Sequence, residues 1–185
     1  AHINTFQDSD GIVRRTLLHL DHNGEKIESV ALKAYKTYME ITGGSDASEA
    51  IPLDVWNRMY IHYSGEPKDM EHHSYYRILN GDIPPEYFED KIVLVGPYTV
   101  GIGDYYFTSI DRQTLMYGVE VHGNILQNLL QGNFKQEAGF GVTVIILLIL
   151  GGLGVFAFHR LSPFRSAVLL VVVLGLYLMA ADRKG

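Results

Sequence analysis

Acidic side chains near the start of the sequence are the first whose type and spacing could do chemistry. The stretch "DSDG" carries Asp8 and Asp10, whose carboxylates are hard oxygen ligands like those that open a calcium-binding loop. Such a loop also needs a glutamate at its twelfth position, where this sequence has His19. The alternative is a hairpin turn in which both acids accept hydrogen bonds from backbone amides. Both interpretations stay open, and the incomplete ligand set favours the turn.

A glycine-rich stretch, "KIVLVGPYTVGIGD" at residues 91–104, resembles a strand that opens into a phosphate-binding loop. Gly96 and Gly101 have the spacing of the two glycines that frame such a loop. A nucleotide loop then requires lysine followed by serine or threonine, which reach the terminal phosphates and the metal ion. The residues at those positions are Ile102 and Gly103. The stretch therefore predicts a sharp turn after a buried strand and argues against nucleotide binding.

The acid that closes this stretch, Asp104, follows the predicted buried strand, and α/β folds place ligand sites at such positions. Arg14 or Arg15 could pair with it, since a guanidinium and a carboxylate form bidentate hydrogen bonds. We expect either a structural ion pair or a contact with a ligand. The candidate ligand-binding residues of the chain are Asp8, Asp10, Arg14, Arg15, Asp104 and His122.

The histidines give weaker signals. His72 and His73 are adjacent, so their rings point apart on a helix, and the sequence offers neither a cysteine nor a third histidine at zinc-ligand spacing. We therefore expect no metal site and no cofactor. His122 lies on a predicted helix over residues 119–132, where it either packs against a neighbouring segment or responds to pH.

Charge is distributed unevenly along the 185 residues. Residues 1–138 carry 11 Lys and Arg against 20 Asp and Glu, whereas residues 139–185 carry four against one. The acidic first part argues against a nucleic-acid partner, because nucleic-acid binding depends on basic side chains that neutralise phosphates. The absence of cysteine excludes a disulfide framework.

Two apolar stretches follow the acidic part. Residues 138–158 contain no charge, and residues 164–181 are nearly as long with only Arg165 near their start. About 20 apolar residues suffice for a helix to cross a bilayer, so we predict two transmembrane helices and a bilayer partner. The connector at 159–163 and Arg165 are basic, which places the connector in the cytoplasm and residues 1–137 outside it. The tail at 182–185 then lies outside and leads to a third span.

The first 137 residues predict one mixed α/β domain, a mixed sheet flanked by helices. Helical spacing of apolar residues predicts a helix over 27–41, stopped by two glycines, and Gly132 ends the predicted helix over 119–132. Strands are expected at residues 2–6, 11–20 and 59–63. The continuous apolar run at 91–96 is typical of a central strand buried on both faces.

Four stretches in this order resemble the type-two CHASE domain, a sensor found outside the cell ahead of bacterial cyclases and kinases: "INTFQDSDGIVRR", "IHYSGEP", "FEDKIVLVGPYTVGIGDYYFTS" and "YGVEVHGNILQNLLQG". The resemblance implies a multi-pass receptor of the inner membrane, with this chain holding the second half of the sensor and two spans. It also implies an external ligand, a homodimer or larger oligomer formed through the anchor, and a cytoplasmic output domain. The segment itself carries no catalytic motif, so we expect it not to be an enzyme.

Two functions remain open. The first is a ligand-responsive sensor, which a concave site would favour. The second is an extracytoplasmic module that assembles a membrane complex without a small-molecule ligand. A flat apolar face on the helix at 119–131 would favour this second function.

Overall fold

The computed structural model describes residues 1–136, 138–160 and 162–182. It divides into two compact units, Ala1–Gln136 and Glu137–Gly185. The strands of the first unit are β1 (Ile12–Val13), β2 (Arg15–Leu17), β3 (His19–His22), β4 (Glu25–Glu28), β5 (Arg58–Tyr60), β6 (Tyr105–Thr108) and β7 (Met116–Tyr117). Its α-helices are α1 (Val30–Thr42), α2 (Tyr75–Leu79) and α3 (Gly118–Gln131). The predicted α/β class is confirmed.

Within the described residues the strands form three small sheets rather than the one mixed sheet expected. Strand β6 lies between β1, which is parallel to it, and β7, which is antiparallel. Strands β2 and β5 pair antiparallel, as do β3 and β4. The β3–β4 turn contains Asn23 and Gly24, both with positive φ, which is the backbone that two-residue hairpins prefer.

Helices α1 and α3 begin and end where the sequence predicts, within a few residues. The Ser29 hydroxyl accepts a hydrogen bond from the Leu32 amide at the start of α1, and Gly43 ends it at φ 70°. Gly132 ends α3 at φ 64°. Both helices contribute to one core, in which the largest fully buried side chains include Leu32, Met59, Met116 and Ile125.

The predicted strand over residues 91–96 is wrong. These residues pair with no strand among the described parts of the chain, and most of their apolar side chains are exposed, including Val93 at 50% and Val95 at 79%. A buried strand requires neighbours on both edges, and the described residues supply none here. The predicted strand at 2–6 is reduced to a bridge between His2 and Ser29.

The second unit contains two helices that cover the apolar stretches. They are α4 (Phe140–Arg160), which is shifted by two residues from the predicted 138–158, and α5 (Pro163–Asp182), which is one residue longer at each end than the predicted 164–181. Over the described residues, no helix combines the length and the apolarity needed to cross a membrane. Residue 161 of the predicted connector and residues 183–185 of the predicted tail lie outside the described residues.

Candidate functional site

The acidic turn near the start of the chain is held by an arginine. The Arg14 guanidinium donates hydrogen bonds to both carboxylate oxygens of Asp10, at 2.9 and 2.7 Å, and to Asp8 at 3.0 Å. The Asp10 Oδ1 also accepts a hydrogen bond from the Ile12 amide. The hydrogen bond from Arg14 is the main reason why the pKa of Asp10 falls to about 2. Since both carboxylates already bind a cation of the chain itself, the geometry supports the turn rather than a calcium loop.

The same network continues to β5. The side chain of Asp54 is 3% exposed and accepts hydrogen bonds from the Arg58 guanidinium at 2.9 Å and from Arg15 at 3.1 Å. Burial disfavours the charged form of Asp54, but the backbone amides of Arg58 and Trp56, together with the Arg58 guanidinium, outweigh it and lower its pKa. The network ties the acidic turn, β2 and the start of β5 together, so its role is structural.

Asp104 lies at the start of α3 rather than in this network. Its carbonyl accepts a hydrogen bond from the Gly118 amide at 3.0 Å. Its carboxylate occupies the space that a side chain at residue 118 would fill, so the glycine there permits this close approach. The predicted ion pair with Arg14 or Arg15 is therefore wrong, because the structure pairs those arginines with Asp8, Asp10 and Asp54.

His122 packs against the N-terminal segment of the chain. Its Nε2 lies 3.2 Å from the carbonyl oxygen of Ile3, and its Nδ1 is buried without a hydrogen-bond partner. Burial lowers the pKa of His122, although the Ile3 carbonyl and the charge of Asp104 oppose the shift. The pKa of His2 is also lowered, first by burial and then by His122, the N-terminus and His19. His122 thus packs in a setting that disfavours its charged form, and a response of this residue to pH stays a prediction.

One face of α3 carries three buried polar side chains, four residues apart, that hold a neighbouring loop. The carboxylate of Glu120 accepts hydrogen bonds from the Lys68 and Tyr117 amides. The side chain of Asn124 accepts a hydrogen bond from the Ser64 amide. The side chain of Asn128 accepts from the His62 amide at 2.7 Å and donates to the His62 carbonyl at 2.8 Å. The helix therefore provides hydrogen-bond partners for backbone groups of His62, Ser64 and Lys68.

Another face of α3 lines a groove of about 800 Å³. The volume lies in the range of small-molecule sites, and the lining is mainly apolar with a few polar groups, as in many such sites. The helix contributes Val119, Leu126 and Leu130 beside Glu120 and Gln127, and residues 70–98 form the rest of the wall. This concave surface differs from the flat apolar face that an assembly module would require. It is the strongest candidate for a ligand site in the described part of the chain.

Two groups of aromatic contacts border the groove. His72 stacks on Tyr98 at 4.4 Å between ring centroids, and Tyr98 lies 4.2 Å from Tyr117. His73 meets Tyr87 edge to face at 4.9 Å, and the ammonium of Lys91 lies 3.6 Å from the centroid of the same tyrosine ring. The two adjacent histidines precede α2 rather than lying on a helix, and each contacts a different tyrosine. No group of three or more possible metal ligands occurs among the described residues.

Neither the groove nor the polar face of α3 was predicted from the sequence. The groove joins α3 to residues 70–98, most of which lie outside helices and strands, and the strand predicted among them at 91–96 is wrong. The polar face did leave a signal, since Glu120, Asn124 and Asn128 recur every four residues within an otherwise apolar helix. Such a row of polar residues on a helix that also carries a buried apolar face indicates hydrogen-bond partners packed against it.

Comparison with known proteins gives one match. The family model described as the CHASE2 domain matches residues 1–156. No curated protein and no solved structure matches the chain.

Proposed function

The chain belongs to the CHASE2 domain family, a family of extracellular sensory domains in signalling receptors, and we propose that it is the sensing region of a membrane receptor. Residues 1–137 bind an external ligand. The apolar stretches at 138–158 and 164–181 anchor this domain and transmit its state to a cytoplasmic output domain. The domain lies outside the cytoplasm of a bacterial inner membrane. The family is sensory rather than catalytic, so the segment itself performs no reaction.

The groove beside α3 is the observation that carries this proposal. One side of helix α3 lines the groove, and another side carries core residues such as Val121 and Ile125. A ligand in the groove would therefore contact the helix directly. The first apolar stretch begins at residue 138, only a few residues after α3 ends at Gln131. A shift of α3 on binding would therefore reach the anchor through a short connection. We propose this groove, rather than the arginine-bound Asp8 and Asp10, as the ligand site.

The proposed membrane anchor is inferred from the composition of the two apolar stretches. Residues 138–158 carry no charge, and the Val, Ile, Leu and Phe side chains there favour insertion by about 5 kcal/mol in total. Apolar side chains on α4 are exposed, for example Phe140 at 85% and Leu148 at 70%. Exposed side chains of this kind are what a lipid environment would cover.

A second candidate function is an assembly module without a small-molecule ligand. It is favoured by the exposed apolar residues 92–96, which have no strand partner among the described residues. The two functions are compatible, since a sensor can also self-associate.

We expect the full chain to remain in the membrane pellet after an alkaline carbonate wash of cell membranes. Replacing both Ile146 and Leu150 by arginine should release a larger fraction of the chain than is released from the unaltered protein, because each arginine near a helix centre costs about 3 kcal/mol and the pair cancels the insertion energy of residues 138–158, which leaves residues 164–181 as the remaining anchor. The matched control, alanine at the same two positions, should stay in the pellet. Release of the unaltered chain by the wash would contradict the proposed anchor.

A further inference from the structure

Two histidines are buried where the start of the chain meets α3. His2 is 9% exposed, and neither of its ring nitrogens has a hydrogen-bond partner among the described residues. The Nδ1 of His122 is also buried without such a partner, while its Nε2 lies 3.2 Å from the carbonyl oxygen of Ile3. A charge on His122 acts on His2, so the two rings are near neighbours. Most buried polar atoms in proteins are paired, and three unpaired nitrogens at one contact call for an explanation.

Backbone hydrogen bonds hold the N-terminal segment, defined as residues 1–6, at this contact. The His2 amide donates to the Glu28 carbonyl, and the His2 carbonyl accepts from the Val30 amide, both at 2.8 Å. Glu28 ends β4 and Val30 begins α1. The N-terminal segment therefore links the start of α1 to α3, and both histidine rings lie at that junction.

A positive charge on His122 is poorly compensated at this junction. Burial is the largest influence on the pKa of His122 and lowers it, whereas the Ile3 carbonyl and the charge of Asp104 raise it by less. The same carboxylate also acts on the Tyr106 hydroxyl, whose pKa is raised by burial and then by Asp104. One nearby carboxylate thus does not offset the burial of the ring.

The surroundings of His2 also disfavour a charge. Burial lowers the pKa of His2 first, and the positive charges of His122, the N-terminus and His19 lower it further. Glu28, whose backbone holds His2, already pairs its carboxylate with the Lys36 ammonium at 2.7 Å. Each of these influences opposes protonation of His2 while the N-terminal segment is docked.

We propose that mild acid releases the N-terminal segment from α3 through protonation of His2 and His122 together. The docked segment keeps both rings neutral, whereas release exposes them to water and lets them bind protons. Acid therefore favours the released state. Docking is complete well above the ordinary histidine pKa of about 6.5, and it weakens as the pH falls below that value. Two protons taken up together raise the ratio of released to docked segment by up to about 100-fold per pH unit.

The ion pairs of the first unit persist in this pH range. The hydrogen bond from Arg14 lowers the pKa of Asp10 to about 2, and the pKa values of Glu28 and Asp54 are also lowered. These carboxylates stay charged while the histidines titrate, so release needs no unfolding of the core. Because α3 lines the groove and precedes the first apolar stretch, release would free the helix that the proposed receptor uses. Only this last consequence rests on the proposed function.

Spin labelling of the full chain in detergent tests the release, because the sequence contains no cysteine of its own. A nitroxide on Asn4→Cys, an exposed position, gives a broad spectrum when the N-terminal segment is ordered and a narrow one when it is mobile. We expect the ratio of mobile to ordered label to rise at least about tenfold between about pH 7 and about pH 5.5. Trp56 fluorescence should stay constant over the same range, since the core remains folded. A label that stays ordered, or a fluorescence change with the same midpoint, would overturn the proposal.

Glutamine variants identify the histidines responsible. His122→Gln keeps an N–H for the Ile3 carbonyl but cannot become charged, and His2→Gln likewise removes the titrating group. We expect each variant to weaken the pH dependence to at most about tenfold per pH unit and the double variant to abolish it. His22→Gln, at an exposed position of β3, is the matched control and should respond like the unaltered chain. A double variant that still releases its N-terminal segment in acid would overturn the proposal.

The ring titrations of the unaltered chain decide the matter if the double variant fails to dock its N-terminal segment at any pH. With isotope-labelled histidines, the ring carbon signals of His2 and His122 should titrate with the same midpoint as the spin label on the segment. Rings that titrate with a different midpoint would contradict the proposed coupling. None of these readouts depends on the sidedness, ligand or anchor of the proposed receptor, so they separate a failure of the release from a failure of the proposed function.

Discussion

Replacing Asn128 by alanine is expected to lower the free energy of unfolding of the first unit by about 3 kcal/mol. The Asn128 side chain satisfies both backbone groups of His62, through hydrogen bonds of 2.7 and 2.8 Å, and is 1% exposed. Alanine removes both partners and leaves a partly buried donor and a partly buried acceptor unpaired. Each orphaned group costs about 1–3 kcal/mol, more than the hydrogen bond itself contributes in net terms.

Trp56 provides the readout for this loss. It is the only tryptophan of the chain and lies in the first unit, so its fluorescence reports unfolding of that unit during a urea titration in detergent. Gln127→Ala is the matched control, because Gln127 is the preceding residue of α3 and its hydrogen bond to Ser64 is exposed. We expect the control to change stability by less than about 1 kcal/mol. An equally small effect for Asn128→Ala would show that α3 does not hold residues 62–68.

Asp54→Asn is expected to lower the free energy of unfolding by about 3 kcal/mol. The substitution keeps the shape of the side chain but removes the charge that balances Arg58 and Arg15, which lie 2.9 and 3.1 Å away. This expected loss lies at the low end of the range for a broken buried ion pair, because both arginines are partly exposed.

A double-mutant cycle identifies the contact behind that loss. Adding Arg58→Gln to Asp54→Asn should cost little more than the first change, since the pair has already been broken. Asp104→Asn is the control, because Asp104 lies against α3 instead, and its effect should add to that of Arg58→Gln. Additive losses for Asp54 with Arg58, or non-additive losses for Asp104 with Arg58, would contradict the assignment of the network.

Local signals in the sequence predicted the helices well. Ser29 and Gly43 frame α1, and Gly132 ends α3, because capping and left-handed backbone depend on residues within a few positions of the helix end. The turn at Asp8 and Asp10 was likewise one of the two structures that the sequence indicated for this stretch, beside a calcium loop. These features needed no knowledge of the rest of the chain.

Contacts between distant parts of the chain could not be predicted in the same way. Nothing local distinguishes Asp54 from Asp104 as the partner of an arginine, and Asp54 lies 39 positions from Arg15. The groove joins α3 to residues 70–98, and no local pattern in either stretch predicts that the two pack together. Residues 91–96 have the composition of a buried strand, but burial depends on neighbours that composition does not reveal.

The placement of the first unit outside the cytoplasm is the central claim, and thiol labelling of intact cells tests it most directly. The chain has no cysteine, so Ser45→Cys and Ser162→Cys each introduce a single thiol at an exposed position. Ser45 belongs to the proposed sensing domain, and Ser162 lies between α4 and α5. We predict that a membrane-impermeant maleimide labels Ser45→Cys in intact cells and labels Ser162→Cys only after the membrane is broken. Labelling of Ser162→Cys in intact cells, with Ser45→Cys protected, would contradict the account.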